Sequence, residues 1–319
     1  MRTPQLAKLT ASALIASAIV AGNASAAIDQ WTPSSPGTRR GEFFDRTHSR
    51  ATIGVAAVGA AVPTLMTYHN GPVMTTGADV TPIYWGKSWG TATFVGDKMT
   101  GLAAFYGGIG ASKFFNTNIE YTQTVGKTLT PVLNKVTTKA AITDTSAGPK
   151  AAPTTTDVLN EVAAVLKKAK ITAPPANAYY PVYGDVVRPT ATTACGWHSS
   201  GKIGTVTVTF AFFYNLDGDA GCDPKSTIAG TSQGLAALAN ISAHELSETV
   251  TDPQLNAWYD ATLNENSDKC AWTFSATPPT FGGRQWKLQG NWSNAAYLAN
   301  TGYTNVATNT VMPGCIDTK

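Results

Sequence analysis

The chain is poor in charge. Of its 319 residues only 13% are Asp, Glu, Lys or Arg, and the net charge is +3. So small and dispersed a charge, with no basic stripe, excludes nucleic acid as the expected partner. Beyond the N-terminus there is no apolar run long enough to span a membrane. Cysteine is scarce: Cys195, Cys222, Cys270 and Cys315 stand far apart, and none lies in a Cys-x-x-Cys pair. That spacing argues against a cysteine-ligated structural zinc. No internal repeat is found, so a solenoid is not expected. The residues that stand out instead are Gly, Thr, Asn, Ala and Trp, which suit a neutral, hydrogen-bonding exterior.

The first residues read as a secretory signal. Arg2 and Lys8 are basic, Ala11 to Ala21 is apolar, and Ala24-Ser25-Ala26 is a small-x-small cleavage site. Export and cleavage after Ala26 are expected, which places the cysteines in an oxidising compartment. Three disulfide connectivities are open, and pairing of sequence neighbours, Cys195–Cys222 and Cys270–Cys315, is the one favoured. Residues 27–65 are weakly patterned and read as a linker, arm or pro-segment. Residues 66–319 read as the organised domain.

In that domain Met66 to Val73 and Val80 to Gly86 look like strands. Phe94 to Tyr106 has helical spacing and is expected to end at Gly107-Gly108. Asn118 to Leu129 reads as extended chain. Thr156 to Ala169 is an amphipathic helix, with Asp157 near its start and lysines at its end. Ala178 to Val187 and Val206 to Tyr214 read as buried strands. Alternating helices and strands predict an α/β or α+β architecture: a mixed sheet packed with helices, then a loop-rich C-terminal part.

The central feature is His244-Glu245-Leu246-Ser247-Glu248. In a helix, residues four apart share one face, so His244 and Glu248 lie one above the other, with Glu245 beside them. The pattern differs by one letter from the His-Glu-x-x-His zinc helix of metallopeptidases. Zinc accepts carboxylate oxygen as well as imidazole nitrogen. His244 and Glu248 are therefore candidate ligands of one zinc ion, and Glu245 is the candidate general base. Leu235, Leu246 and Val250 should face a core on the opposite side. Asp252 precedes Pro253, so the helix should stop near Thr251, with Asp252 itself a further site-neighbour candidate. Downstream, Glu265 and Asp268 are further candidate ligands, in a stretch expected to be pinned by Cys270. Asp260 reads as a turn residue or as the group that orients His244. His198, at a strand edge, and His69, before a turn, are site-neighbour candidates.

Several motifs in order resemble the phosphate-induced protein 1 family, which includes the plant EXORDIUM proteins and secreted bacterial and fungal relatives. They are Tyr68-His69-Asn70-Gly71-Pro72-Val73, Ile83-Tyr84-Trp85-Gly86-Lys87, Cys195-Gly196-Trp197-His198, the His244–Glu248 segment with Thr251-Asp252-Pro253, Asn256-Ala257-Trp258-Tyr259-Asp260, Glu265, and Asp268-Lys269-Cys270. The resemblance implies an extracellular, wall-associated protein and supplies no settled reaction. Together with the central motif it points to a zincin-type domain and a secreted zinc-dependent hydrolase of peptides. The competing expectation is a non-catalytic extracellular protein that binds wall carbohydrate. A serine or cysteine hydrolase is a weaker third.

Overall fold

A computed structural model describes residues 33–34, 40–47, 65–171 and 173–319. The expected signal at 1–26 and most of 27–65 lie outside the described residues. In chain order the elements that position the site are β1 (Arg40–Phe44), β2 (Ala78–Val80), β3 (Ile83–Trp85), α1 (Lys98–Ile109), β4 (Val136–Thr138), β5 (Ile142–Asp144), α2 (Thr155–Lys168), β6 (Ala178–Val187), β7 (Ala194–Ile203), β8 (Val206–Asn215) and α3 (Gln233–Thr251).

The strands form one mixed sheet. β6 is its axis and pairs parallel with β8 on one side and with β2 and β3 on the other. β4 and β5 extend that side in parallel. On the opposite side β7 pairs antiparallel with β8, and β1 pairs antiparallel with β7. β6 and β8 are nearly continuous apolar runs, as strands covered on both faces must be.

Two glycines of β7 show which helix covers which face. A side chain at Gly196 would meet Ile241 of α3 at 2.9 Å, and one at Gly201 would meet Leu159 of α2 at 2.5 Å. Positions 196 and 201 differ by an odd number, so they face opposite ways. The sheet is thus sandwiched, with α2 on one face and α3 on the other. His198 shares the parity of Gly196 and faces α3. The mixed α/β content is as expected from the sequence.

Local chemistry sets the ends of the elements. Ser232 caps α3 by accepting the Leu235 N–H, and α3 stops at Asp252, before Pro253. α2 begins with a full capping box between Thr154 and Asp157.

Three expectations need correction. The strand read over Val80 to Gly86 is split into β2 and β3 around Thr81-Pro82, because proline has no N–H for the ladder. The strand read over Met66 to Val73 shrinks to Thr67–Tyr68. The helix read from Phe94 begins at Lys98, after a short turn of helix that ends at Gly96, and it runs through Gly107 and Gly108. A side chain at Gly108 would collide with the Gly282 backbone, so this glycine permits close approach and does not terminate the helix. Both sides of α3 are enclosed, and every residue from Gly234 to Thr251 is buried.

After α3 the chain is loops and two-residue strands, as expected. The disulfides Cys195–Cys222 and Cys270–Cys315 form, the favoured connectivity. Among the described residues no helix is long and apolar enough to cross a membrane.

Candidate metal centre

The chemistry-bearing face of α3 points into the protein. One turn of helix places His244 Nε2 2.9 Å from Glu248 Oε1. The contact is close but is not aligned as a hydrogen bond, since His244 Nε2 has no hydrogen-bond partner. The loop after α3 brings Asp268 Oδ1 to 3.6 Å from the same nitrogen. The Asp268 backbone N–H donates to Glu248 Oε1 at 3.1 Å, and the Glu265 N–H donates to Asp268 Oδ2 at 3.0 Å. The loop is folded onto the helix by these bonds and by the Cys270–Cys315 bridge.

A second group meets the first at Glu248. β7 aims His198 at α3, with Nδ1 3.0 Å from Glu245 Oε2 and 3.6 Å from Glu248 Oε2. His198 Nε2 lies 3.6 Å from Glu265 Oε1. Two triads therefore share one carboxylate: His244–Glu248–Asp268 and His198–Glu248–Glu265. In each, the ligand atoms lie within 4.8 Å of one another. Tetrahedral zinc with bonds of about 2.0–2.1 Å separates its ligand atoms by roughly 3.4 Å, close to the observed 3.6 Å spacings.

The electrostatics suit either protons or a cation among the carboxyl groups. His198, His244, Glu245, Glu248 and Glu265 are buried, and Asp268 is partly so. Burial pushes the Glu245 carboxyl well above the ordinary range, and the neighbouring Glu248, Asp268 and Glu265 push it further. Burial, then Asp268, does the same to Glu248. Burial also lowers the His244 imidazole to about 4, against the pull of Asp268, so it stays neutral and able to ligate. Glu245 Oε1 and Glu248 Oε2 are buried without a hydrogen-bond partner. Such atoms cost free energy unless a proton or a metal ion meets them. The donor set of neutral imidazole and carboxylate is that of zinc and not of calcium.

The sequence candidates separate cleanly in space. His244, Glu245, Glu248, Glu265 and Asp268 converge, and His198 joins them as a direct neighbour of three of the carboxylates. Asp252 Oδ1 instead accepts the Asn256 and Ala257 N–H groups, each at 2.6 Å, and it acts on Glu248 only through its charge. Asp260 is the turn residue of the two roles expected for it. It accepts from Thr262 and Asn264 and pairs with Lys269 at 2.8 Å. It does not orient His244, because Gln289 holds that position, with its amide nitrogen 2.8 Å from His244 Nδ1. His69 lies apart and stacks on Tyr259.

Two residues at the site escaped the sequence reading. Gln289 is an ordinary glutamine in a loop, with no local signal. Phe43 lies in the segment read as a linker or arm, yet its ring packs 4.6 Å from His244. Two Gly-x-Ser-x-Gly pentapeptides were also passed over, and neither forms a serine nucleophile site. Ser232 caps α3 with its hydroxyl on Asp97 at 2.5 Å, and Ser88 lies in a turn held by Asp185.

Comparison of the chain with family models, with curated proteins and with solved structures found no match.

Proposed function

We propose that the chain is a secreted hydrolase that holds a divalent cation, zinc, at the Glu248 cluster and cleaves peptide bonds. The observation that supports this most is the convergence of two imidazoles and four carboxylates in the interior, where the charges that act most on Glu245 are other carboxylates. His244, Glu248 and Asp268 would hold the ion from one side, and His198 and Glu265 from the other. Zinc in such a site polarises a carbonyl and acidifies water towards neutrality. Glu245 takes up the proton of the attacking water and passes it to the leaving amine. The hydrogen bond between His198 Nδ1 and Glu245 Oε2, at 3.0 Å, fixes the direction of that carboxyl. Glu248 in place of a second helical imidazole adds negative charge at the ion, so slow turnover is expected.

Secretion is part of the proposal. It rests on the N-terminal signal pattern and accords with two disulfides. The resemblance to the phosphate-induced protein 1 family adds a wall-associated setting. The carbohydrate-binding alternative lacks an aromatic platform among the described residues, where every tryptophan is buried or half-buried.

Elemental analysis of the mature protein should find about one zinc per chain. Glu245→Gln should then lower hydrolysis of a peptide library by roughly 10²–10⁴-fold while zinc stays bound. A chain that takes up no zinc, or a Gln variant of undiminished activity, would overturn the proposal.

A further inference from the structure

The cluster is buried apart from the partly exposed Asp268, and Phe43 of residues 40–47 packs against it. β1 lies antiparallel on β7, with Phe44 opposite Ala194, Phe43 opposite Gly196 and Arg40 opposite His198. The strand that presents His198 therefore also carries this arm on its edge. Phe43 is fully buried, with its ring 4.6 Å from His244 and 4.8 Å from Trp272. Its backbone N–H donates to the Glu245 carboxylate. The aromatic side chain and the amide of one residue thus both lie against the cluster, the ring at His244 and the amide at Glu245.

The arm is held beyond that point by contacts outside the cluster. Trp272 Nε1 donates to the Phe44 carbonyl at 2.8 Å, and Arg188 pairs with Asp45 at 2.9 Å. Arg46 donates to the Asp223 carbonyl and lies 4.5 Å over Trp272. No cysteine lies in the arm, so neither disulfide ties it down. An outer strand edge with a side-chain pocket beside it is the usual geometry for capture of an extended peptide, with main-chain bonds giving affinity and the pocket giving selectivity.

We propose that the outer edge of β7 and the pocket between His244 and Trp272 form a groove for an extended peptide with a large aromatic side chain, and that residues 40–47 are its built-in occupant. In the reading of this chain as a peptidase, on which the word substrate rests, the groove names the substrate class. The arm then keeps the site latent until it is displaced. A tethered occupant acts at an effective concentration on the order of millimolar, so a free peptide binds only weakly while the arm is seated.

The test is capture of a fluorescein-labelled peptide with the sequence of residues 41–47, followed by anisotropy on the full mature chain. Phe43→Ala in the protein should tighten capture at least about ten-fold, because the competing occupant is weakened. The same peptide carrying alanine in place of the Phe43 residue should not bind. Arg46→Ala, which loosens the arm outside the cluster, should give a smaller gain, and it stands in if circular dichroism shows Phe43→Ala to be unfolded. Zinc content is measured on the same samples. Phenylalanine-dependent capture by a zinc-free chain would uphold the groove and sink the metal reading. Folded, zinc-loaded variants that capture no peptide, or capture it whether or not it carries the phenylalanine, would overturn the groove.

Discussion

Two histidines approach Glu248 from opposite sides, and the chain has prepared them differently. His198 comes from β7 and shares a hydrogen bond with Glu245 Oε2 through Nδ1 at 3.0 Å. With Glu245 ionised, that bond puts the hydrogen on Nδ1 and leaves the lone pair of Nε2 on the side of Glu265, 3.6 Å away. A carboxylate behind an imidazole is the usual outer support of a metal ligand. His244 comes from α3 and has an amide behind it. Gln289 Oε1 accepts from the Trp272 N–H at 3.3 Å and its nitrogen donates to the Ser267 carbonyl at 3.0 Å, so the amide also presents an N–H to His244 Nδ1. That arrangement favours the hydrogen on Nε2, facing Glu248. Once Glu245 is ionised, one imidazole is set for an ion, and the other must first move a proton. The residue that sequence reasoning placed first is thus the less prepared of the two.

The largest expected effect concerns what the two sides share. With the ion removed, the carboxylates of Glu245 and Glu248 face one another across a buried space. Their folded pKa values are raised above the unfolded value, first by burial and then by neighbouring carboxylates. A raised carboxylate contributes stability that is present below about pH 4.3 and lost as pH rises through its folded pKa. The chelated chain should therefore melt lower at pH 8 than at pH 5. The zinc-loaded chain should show the opposite slope, because metal binding needs deprotonated ligands. At pH 8, zinc at about a thousand times its Kd is worth roughly 4 kcal/mol, or about 10 °C in Tm. Scanning calorimetry at both pH values, with and without chelator, checks this. Equal slopes for the two forms would mean that no cation balances the cluster.

A smaller effect separates the two sides. His198→Ala should weaken zinc binding about ten-fold more than His244→Ala, because it also strands the carboxylate that orients the ring. Competition against a chromogenic chelator reads both constants. The reverse order would show that the helix, and not the sheet, supplies the dominant imidazole.

The difference between the two sides also marks what was legible in the sequence. α3 was readable because its His-Glu-x-x-Glu spacing and its stop at Pro253 are both local. Asp268 could be found because it follows the helix closely and precedes Cys270. β6 and β8 announce themselves as apolar runs. β7 does not: Gly196, His198, Ser199, Ser200 and Gly201 carry no strand periodicity, and they are buried only because β8, α2 and α3 enclose them. His198 enters the cluster through that non-local pairing. Phe43 is invisible for the same reason, since its position depends on pairing with a strand some 150 residues later. The chemistry-bearing side of α3 meets a polar interior of Asn118, Ser267, Gln289 and Asn291, which local spacing does not announce.

Gln289 gives the smallest expected change in affinity and the sharpest test of how His244 is held. If its amide opposes the metal-binding tautomer, replacing it should not weaken zinc. Gln289→Leu removes the N–H that faces His244 Nδ1 and leaves that nitrogen free to carry the hydrogen, so zinc affinity should hold or rise by no more than about three-fold. The same change strips the Trp272 N–H and the Ser267 carbonyl of a buried partner, at about 1–3 kcal/mol for each group left unsatisfied. Tm should therefore fall by several degrees while the zinc constant stays nearly level. A drop in affinity of 10–100-fold, the ordinary cost of losing an outer-shell support, would mean that the amide turns over when the ion binds and accepts from Nδ1. In that case the two histidines are equally prepared once the site is filled, and the asymmetry between them belongs to the ion-free chain alone.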